Sequence, residues 1–172
     1  YHKKVSSFNS ANLIDDLTNL KIDIGAFCGG GLLRNRFLDS FSFGVLNCHM
    51  GVLPKYRGMD VVEWPFLENE NKQVGVTCHL MDKGIDTGDI VFSEEYTYPE
   101  KCKVPLDYQE YSVNKYNELL DTFFDKVKNL ESFNMSAQQE QFSSYWPRLS
   151  TDVHGYIDWN WALVDIERFV CA

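Results

Sequence analysis

Two apolar runs, Ile22 to Cys28 and Phe43 to Cys48, each stop at a loop of glycine or polar residues, and each follows a stretch with helical spacing. Ahead of the first run, Leu13, Ile14, Leu17 and Leu20 recur at the spacing of one helical face, with Ser10 placed to cap that helix. A second helix is predicted over about Leu32 to Leu38. Helix, strand, helix, strand is the rhythm of a parallel α/β sheet flanked by helices. Ligands of such sheets bind beyond the carboxyl ends of the strands, where the loops Gly29 to Gly31 and Asn47 to His49 emerge together.

The loop Met50 to Gly58 contains Pro54, and Met59 to Leu67 reads as a short helix enclosing Trp64. Val74, Val76, Cys78 and Leu80 alternate with Gly75, Thr77, His79 and Met81, the period of a strand. A turn over Lys83 to Asp89 ends it, and Ile90 to Tyr98 is again extended. A long amphipathic helix is predicted from about Leu106 to Leu130, with Val113, Tyr116, Leu119, Leu120, Phe123, Phe124, Val127 and Leu130 on its apolar stripe. The polar, Gln-rich stretch Ser132 to Tyr145 reads as a connector. Order resumes at Tyr145-Trp146-Pro147-Arg148, and a last helix runs from near Ala162. No internal repeat interrupts this order.

A chain of 172 residues fits one domain with a real core. Its 25 acidic against 16 basic residues give a net charge of −9, and no dense Lys/Arg cluster offsets it, which argues against nucleic acid as a partner. Five cysteines, an odd number without a CxxC pair, fit free thiols in a reducing cytoplasm. No stretch approaches the roughly 18 to 20 apolar residues of a membrane span. Asn47 and His49 alternate on one strand end, so their side chains point the same way, and Asp86 arrives from the turn after another strand. Singly, each has an ordinary reading: a loop-capping amide, a structural histidine, a turn aspartate. Without an HxxxH or CxxC pattern near His49 or His79, zinc ligation is a poor account of these residues, and no metal is expected. Cys48 faces away from Asn47 and His49, a weak position for a nucleophile.

Three linked elements are more specific than any one of them. Asn47-Cys48-His49, then Leu53-Pro54-Lys55-Tyr56-Arg57-Gly58, then Asp86-Thr87-Gly88 follow the order N-x-H, L-P-x-Y-R-G, D-x-G. Together they resemble the folate-dependent formyltransferase family. The resemblance implies a Rossmann-like fold with a central, mostly parallel sheet, and a reaction in which an amine attacks the formyl carbon of 10-formyltetrahydrofolate. The implied catalytic residues are Asn47, His49 and Asp86. Asn47 would donate to the formyl oxygen as it gains charge, His49 would polarise that oxygen or move protons, and Asp86 would orient His49 or take the amine proton through water. By the same resemblance Leu53, Pro54, Met81 and Ile85 wall the folate pocket, with backbone near Gly30 and Ile85 at the pterin edge. Leu53, Met81 and Ile85 read equally well as core. Arg57 is a candidate for a substrate phosphate or for an ion pair that holds its loop, and Tyr145 and Arg148 are substrate-binding candidates. Lys55 and Lys83 read as solvated.

Within the family, Tyr56 to Trp64, Tyr145 to Leu149 and Gly155 to Trp159 look most like the nucleotide-sugar N-formyltransferases. The implied acceptor is a nucleotide-linked amino sugar, dTDP favoured over UDP, and the product an N-formyl sugar for a surface glycan such as lipopolysaccharide. Methionyl-tRNA formyltransferase is the less favoured branch, and a 10-formyltetrahydrofolate hydrolase and a non-catalytic folate- or partner-binding remnant are the remaining alternatives. Relative to the family, the sequence opens at an element from the middle of the fold, so the N-terminal strands are expected to be lacking. Residues 1–145 are expected to form a partial catalytic domain and 146–172 a C-terminal segment leading toward a small region. Open central strand edges invite association, and a homodimer is one expected outcome.

Overall fold

The structure, a computed structural model, describes residues 2–29, 31–68, 74–132 and 134–171. A four-stranded sheet in the order β1-β2-β4-β5 is built from β1 (Ile24–Phe27), β2 (Gly44–His49), β4 (Val74–Leu80) and β5 (Ile90–Tyr96). The mostly parallel sheet expected from the sequence is instead mixed. Strand β1 pairs parallel with β2, whereas β2 with β4 and β4 with β5 are antiparallel. The difference has a local origin. The short helix α2 (Asn35–Leu38) carries the chain back between β1 and β2, while the turn after Leu80 folds β5 straight back on β4. A two-stranded ribbon, β3 (Arg57–Gly58) with β6 (Tyr145–Trp146), stands apart from this sheet.

Both faces of the sheet are covered. Helix α4 (Pro105–Lys128) packs on one face, where Leu119 and Phe123 meet Leu46, Cys48, Val76, Cys78 and Val91. It starts with Pro105, and the Asp107 carboxylate accepts the backbone N–H of Lys103 (2.8 Å) and Val104 (3.2 Å), donors the first turn leaves unpaired. Lys126 and Lys128 sit in its last turn, where positive charge suits the helix dipole. On the other face, α1 (Ala11–Leu20), α2 and the loop before α2 place Ile14, Phe37 and Leu33 against Phe27 and Val45. Side chains alternate along β2, so Leu46 and Cys48 go into the α4 layer and Val45, Asn47 and His49 take the opposite face.

Several predicted boundaries move for visible reasons. Leu130 leaves the apolar stripe of α4, because the helix ends at Lys128 and Leu130 adopts φ 56° with 92% of its surface exposed. Val113 and Phe124 are also exposed, so the buried stripe is narrower than predicted. Leu20, at the last position of α1, is exposed too. The helix predicted over Met59 to Leu67 shrinks to α3 (Trp64–Leu67), since Met59 is bonded to Trp146 and Asp60 takes φ 52°. The presumed connector Ser132 to Tyr145 has structure of its own: Ser136 bridges Ile90, Glu140–Phe142 form a 3-10 turn, and β6 follows. The expected start of a separate segment at residue 146 therefore falls inside a strand. Trp146 stacks on buried Tyr56, with ring centroids 5.5 Å apart, and Trp64 Nε1 donates to the Pro147 carbonyl at 2.8 Å. Helices α5 (Thr151–His154) and α6 (Leu163–Cys171) complete the chain. Among the described residues, no helix is long and apolar enough to cross a membrane.

Phe123, fully enclosed between α4 and the sheet, is the test of this arrangement. Phe123→Ala should lower the unfolding free energy by about 3 to 5 kcal/mol. Leu130→Ala should change it by less than about 0.5 kcal/mol. Denaturant midpoints measured for both variants check this, and equal losses would contradict the packing.

Candidate active site

Strand β2 ends with Asn47 and His49 on the face away from α4, and antiparallel β4 sets His79 directly opposite Asn47. The chain then turns so that Asp86, at φ 52°, points back under all three. The return is tight: a Cβ on Gly88 would fall 1.7 Å from the Leu80 carbonyl oxygen, which is why the aspartate is followed at this spacing by glycine. Asp86 Oδ2 accepts the Gly58 N–H at 2.9 Å and lies 3.7 Å from His49 Nδ1. Its Oδ1 lies 3.4 Å from His79 Nε2 and 3.5 Å from Asn47 Nδ2, and Asn47 Nδ2 is 3.3 Å from His79 Nε2. Gly58 is needed for this contact. It has φ 106°, and a Cβ there would sit 2.1 Å from the Trp146 carbonyl oxygen.

The proton positions follow from the main chain. A carbonyl oxygen only accepts, so His49 donates from Nε2 to Tyr56 O at 2.5 Å, and His79 donates from Nδ1 to Leu80 O at 3.0 Å. Each ring thus turns its other nitrogen toward one carboxylate. Burial pushes the His49 pKa below its ordinary value, and the nearby Asp86 charge and the Tyr56 carbonyl only partly offset this. For Asp86, burial acts to raise the pKa. The His79 contact, the proximity of His49 and the Gly58 N–H outweigh it and hold the carboxyl below the usual range. The cluster is therefore an ionised carboxylate between two imidazoles, of which buried His49 is held neutral with its Nδ1 open to a proton.

Above it opens a cavity of about 920 Å³ whose wall includes Asn47, His49, Asp86, Met81, Ile85 and Tyr145. Gly29 and Gly31 also line it, while Gly30 lies outside the described residues. Leu53 and Pro54 are not in this wall. Leu53 is buried with its N–H donated to Thr77 Oγ1 at 3.2 Å, and the Pro54 carbonyl accepts the Ser144 N–H at 3.2 Å. Arg57 is not there either: it is buried and bonded to Gln138 and Glu140, the loop-holding alternative. Arg148 is exposed and outside the wall. The described residues of the wall include Asp60, Glu63 and Asp82 but no Lys or Arg.

Two residues of the site escaped the sequence reading. His79 was legible, because it alternates onto the same face of its strand as Thr77, and an antiparallel neighbour of β2 places that face beside Asn47. Gln138 gave no signal, standing as it does in a run of glutamines whose structure is set by distant contacts. Among the described residues, no group of three or more His, Cys, Asp or Glu is arranged to hold a metal ion.

The family model described as formyl transferase matches residues 3–105. The chain belongs to the formyl transferase family. Methionyl-tRNA formyltransferase of Clostridium perfringens is 29% identical to this chain over 163 residues, covering 94% of the chain and 52% of the relative. That of Syntrophus aciditrophicus is 33% identical over 141 residues, covering 81% of the chain and 43% of the relative. The chain spans about half the length of such curated relatives. Among solved structures, the formyltransferase PseJ of Anoxybacillus kamchatkensis, in complex with UDP-4,6-dideoxy-4-formamido-L-AltNAc and tetrahydrofolate, aligns at TM-score 0.68 and 26% identity. The alignment covers 91% of this chain and 76% of PseJ. A 4-N formyltransferase from Francisella tularensis, at 22% identity and TM-score 0.70, shares the fold, covering 92% of this chain and 65% of its own.

The depressed His49 pKa has a consequence for the stability of this chain. Below the ordinary histidine value of 6.5 the unfolded chain binds the proton first. The stabilisation is thus complete above about pH 6.5 and is lost as the pH falls toward the lower folded value. Asp86 adds a second loss further into acid, as the pH drops through its depressed folded value. Urea midpoints at about pH 7.5 and about pH 5.5 should fall for the wild type and fall less for His49→Gln. Equal pH slopes would contradict the burial of a neutral His49.

Proposed function

We propose that this chain carries the catalytic centre of an N-formyltransferase that moves the formyl group of 10-formyltetrahydrofolate to the amine of a nucleotide-linked amino sugar. The observation that carries the reading is the convergence of Asn47, His49, His79 and Asp86 at the floor of a cavity of about 920 Å³. The apolar side of that cavity fits a folate. Leu32 and Ile85 leave 67% and 53% of their surfaces uncovered there, beside half-buried Met81, and a flat aromatic ring system would cover them.

In the reaction the amine nitrogen bonds to the formyl carbon, the bond from that carbon to the folate nitrogen breaks, and one proton passes from the amine to the released folate nitrogen. Asn47 Nδ2 is the neutral donor for the formyl oxygen as charge collects on it, a contact worth roughly 3 to 4 kcal/mol in comparable sites. The proton goes to the Asp86 cluster. His49 Nδ1 is free to receive it, and the adjacent Asp86 carboxylate stabilises the resulting imidazolium. The return of that proton completes the transfer.

The amino-sugar acceptor is supported by the alignment with PseJ, whose bound ligands are a UDP-linked formamido sugar and tetrahydrofolate, and by a net charge of −9 that opposes binding of a polyanion. With acidic groups and no Lys or Arg among the described residues of the wall, an amine cation is a better match to this cavity than a phosphate. The nucleotide phosphates must then be held from elsewhere. A second reading, formylation of methionyl-tRNA, is favoured by the curated relatives at 29 to 33% identity. Incubation with 10-formyltetrahydrofolate and, in parallel, dTDP- and UDP-linked amino sugars or methionyl-tRNA separates the two. Formylated sugar is the expected product, and formylation of the tRNA alone would overturn the choice of acceptor. Asn47→Ala and His49→Ala should each slow turnover by about a hundredfold or more. Wild-type rates in either would refute its role.

A further inference from the structure

The side-chain amide of Gln138 makes four hydrogen bonds, and they join the two stretches of chain that meet at Asp86. Its Nε2 donates to the carbonyls of Asp86 at 2.9 Å and Gly88 at 2.7 Å. Its Oε1 accepts from Arg57 Nε at 3.0 Å and Nη2 at 2.9 Å. Only this orientation of the amide works, since the reverse would set its oxygen against two carbonyls and its NH2 against a guanidinium. The other edge of buried Arg57 grips the Glu140 carboxylate, at 3.0 Å from Nη1 and 2.8 Å from Nη2. The residue after Arg57 is Gly58, whose N–H donates to Asp86 Oδ2 at 2.9 Å.

A closed circuit results, from the Asp86 carbonyl through Gln138 and Arg57 to Gly58 and back into the Asp86 carboxylate. Asp86 depends on such support. Its φ of 52° is one that L side chains rarely adopt, and its contacts with the two imidazoles and Asn47 are long, between 3.4 and 3.7 Å. Loosely held by the groups it serves, the carboxylate must be aimed by its backbone. That backbone is clamped at residues 86 and 88 by one amide.

We propose that Gln138 is a positioning residue for the reaction: it fixes the Asp86 turn against Arg57 so that the carboxylate faces His49 and His79 at once. The proposal rests on the reading of this cluster as the formyl-transfer centre. Gln138 itself is absent from the cavity wall and makes no bond to Asn47, His49 or His79. Arg57, read from the sequence as a candidate for a substrate phosphate, becomes the rigid anchor of this circuit.

The test uses the full chain with Gln138→Leu, which removes all four bonds, and Gln138→Glu, which keeps an acceptor for Arg57 but withdraws the donors from the Asp86 turn. Formyl-transfer kcat should fall about tenfold to a hundredfold in both, with the KM for 10-formyltetrahydrofolate changed by less than about threefold. Side-chain nitrogen NMR should show the His49 titration moving to lower pH, because a displaced carboxylate supports the imidazolium less. A Gln138 that merely holds the loop would lower the unfolding midpoint while leaving kcat and the histidine titration as in the wild type. That result in either folded variant would overturn the proposal. Should Gln138→Leu fail to fold, Gln138→Glu decides alone. Should the wild type transfer no formyl group, the formyl-transfer reading fails, and an unmoved His49 titration would still show that Gln138 does not aim the carboxylate.

Discussion

A carboxylate taken out of bulk water must find donors or lose its charge, and the placement of Asp86 shows how much of this fold answers that demand. Its oxygens meet one backbone N–H, from Gly58, and three side chains brought by two strands. Gly58 reaches it only because β3 pairs with β6, and β6 is held by Trp146 stacked on Tyr56. The strands in turn depend on α4, whose Leu119 and Phe123 fix the sheet from behind. The face that carries Asn47, His49 and His79 is therefore the polar end of a sheet whose other layer is ordinary apolar packing.

The same placement explains how a neutral-pH site can hold a base. His49 is buried and its Nε2 is committed to a main-chain carbonyl, so the ring stays neutral with its remaining nitrogen bare. Asp86 stays charged, because the contacts that favour the anion outweigh its burial. The two conditions pull against each other in part: the Asp86 charge favours a proton on His49, and burial outweighs it.

Much of this was legible in the sequence, and the boundary of legibility is physical. The apolar run Phe43 to Cys48 and the alternation in Val74 to Met81 report extended backbone, so β2 and β4 lie where the pattern places them, although β4 is buried on both faces. The glycines of R-G and D-x-G report close backbone approach, which the contacts at Gly58 and Gly88 explain. The pairing direction between strands leaves little trace in a single strand's pattern, which is why the sheet reads as more parallel than it is. Arg57 and Gln138 lie 81 positions apart, and nothing local marks either as the partner of the other. The short α3 and the exposed Leu130 reflect positive φ at Asp60 and Leu130, which apolar periodicity does not report.

For formyl transfer at this cluster, the Asp86 charge must act on the chemical step and not on folate binding. Single-turnover formyl transfer by Asp86→Asn, which keeps the shape and removes the charge, measures it most directly. The chemical step should slow by about a hundredfold or more, with the Kd for 10-formyltetrahydrofolate unchanged within about threefold. A chemical step as fast as the wild type, or a loss confined to Kd, would contradict it.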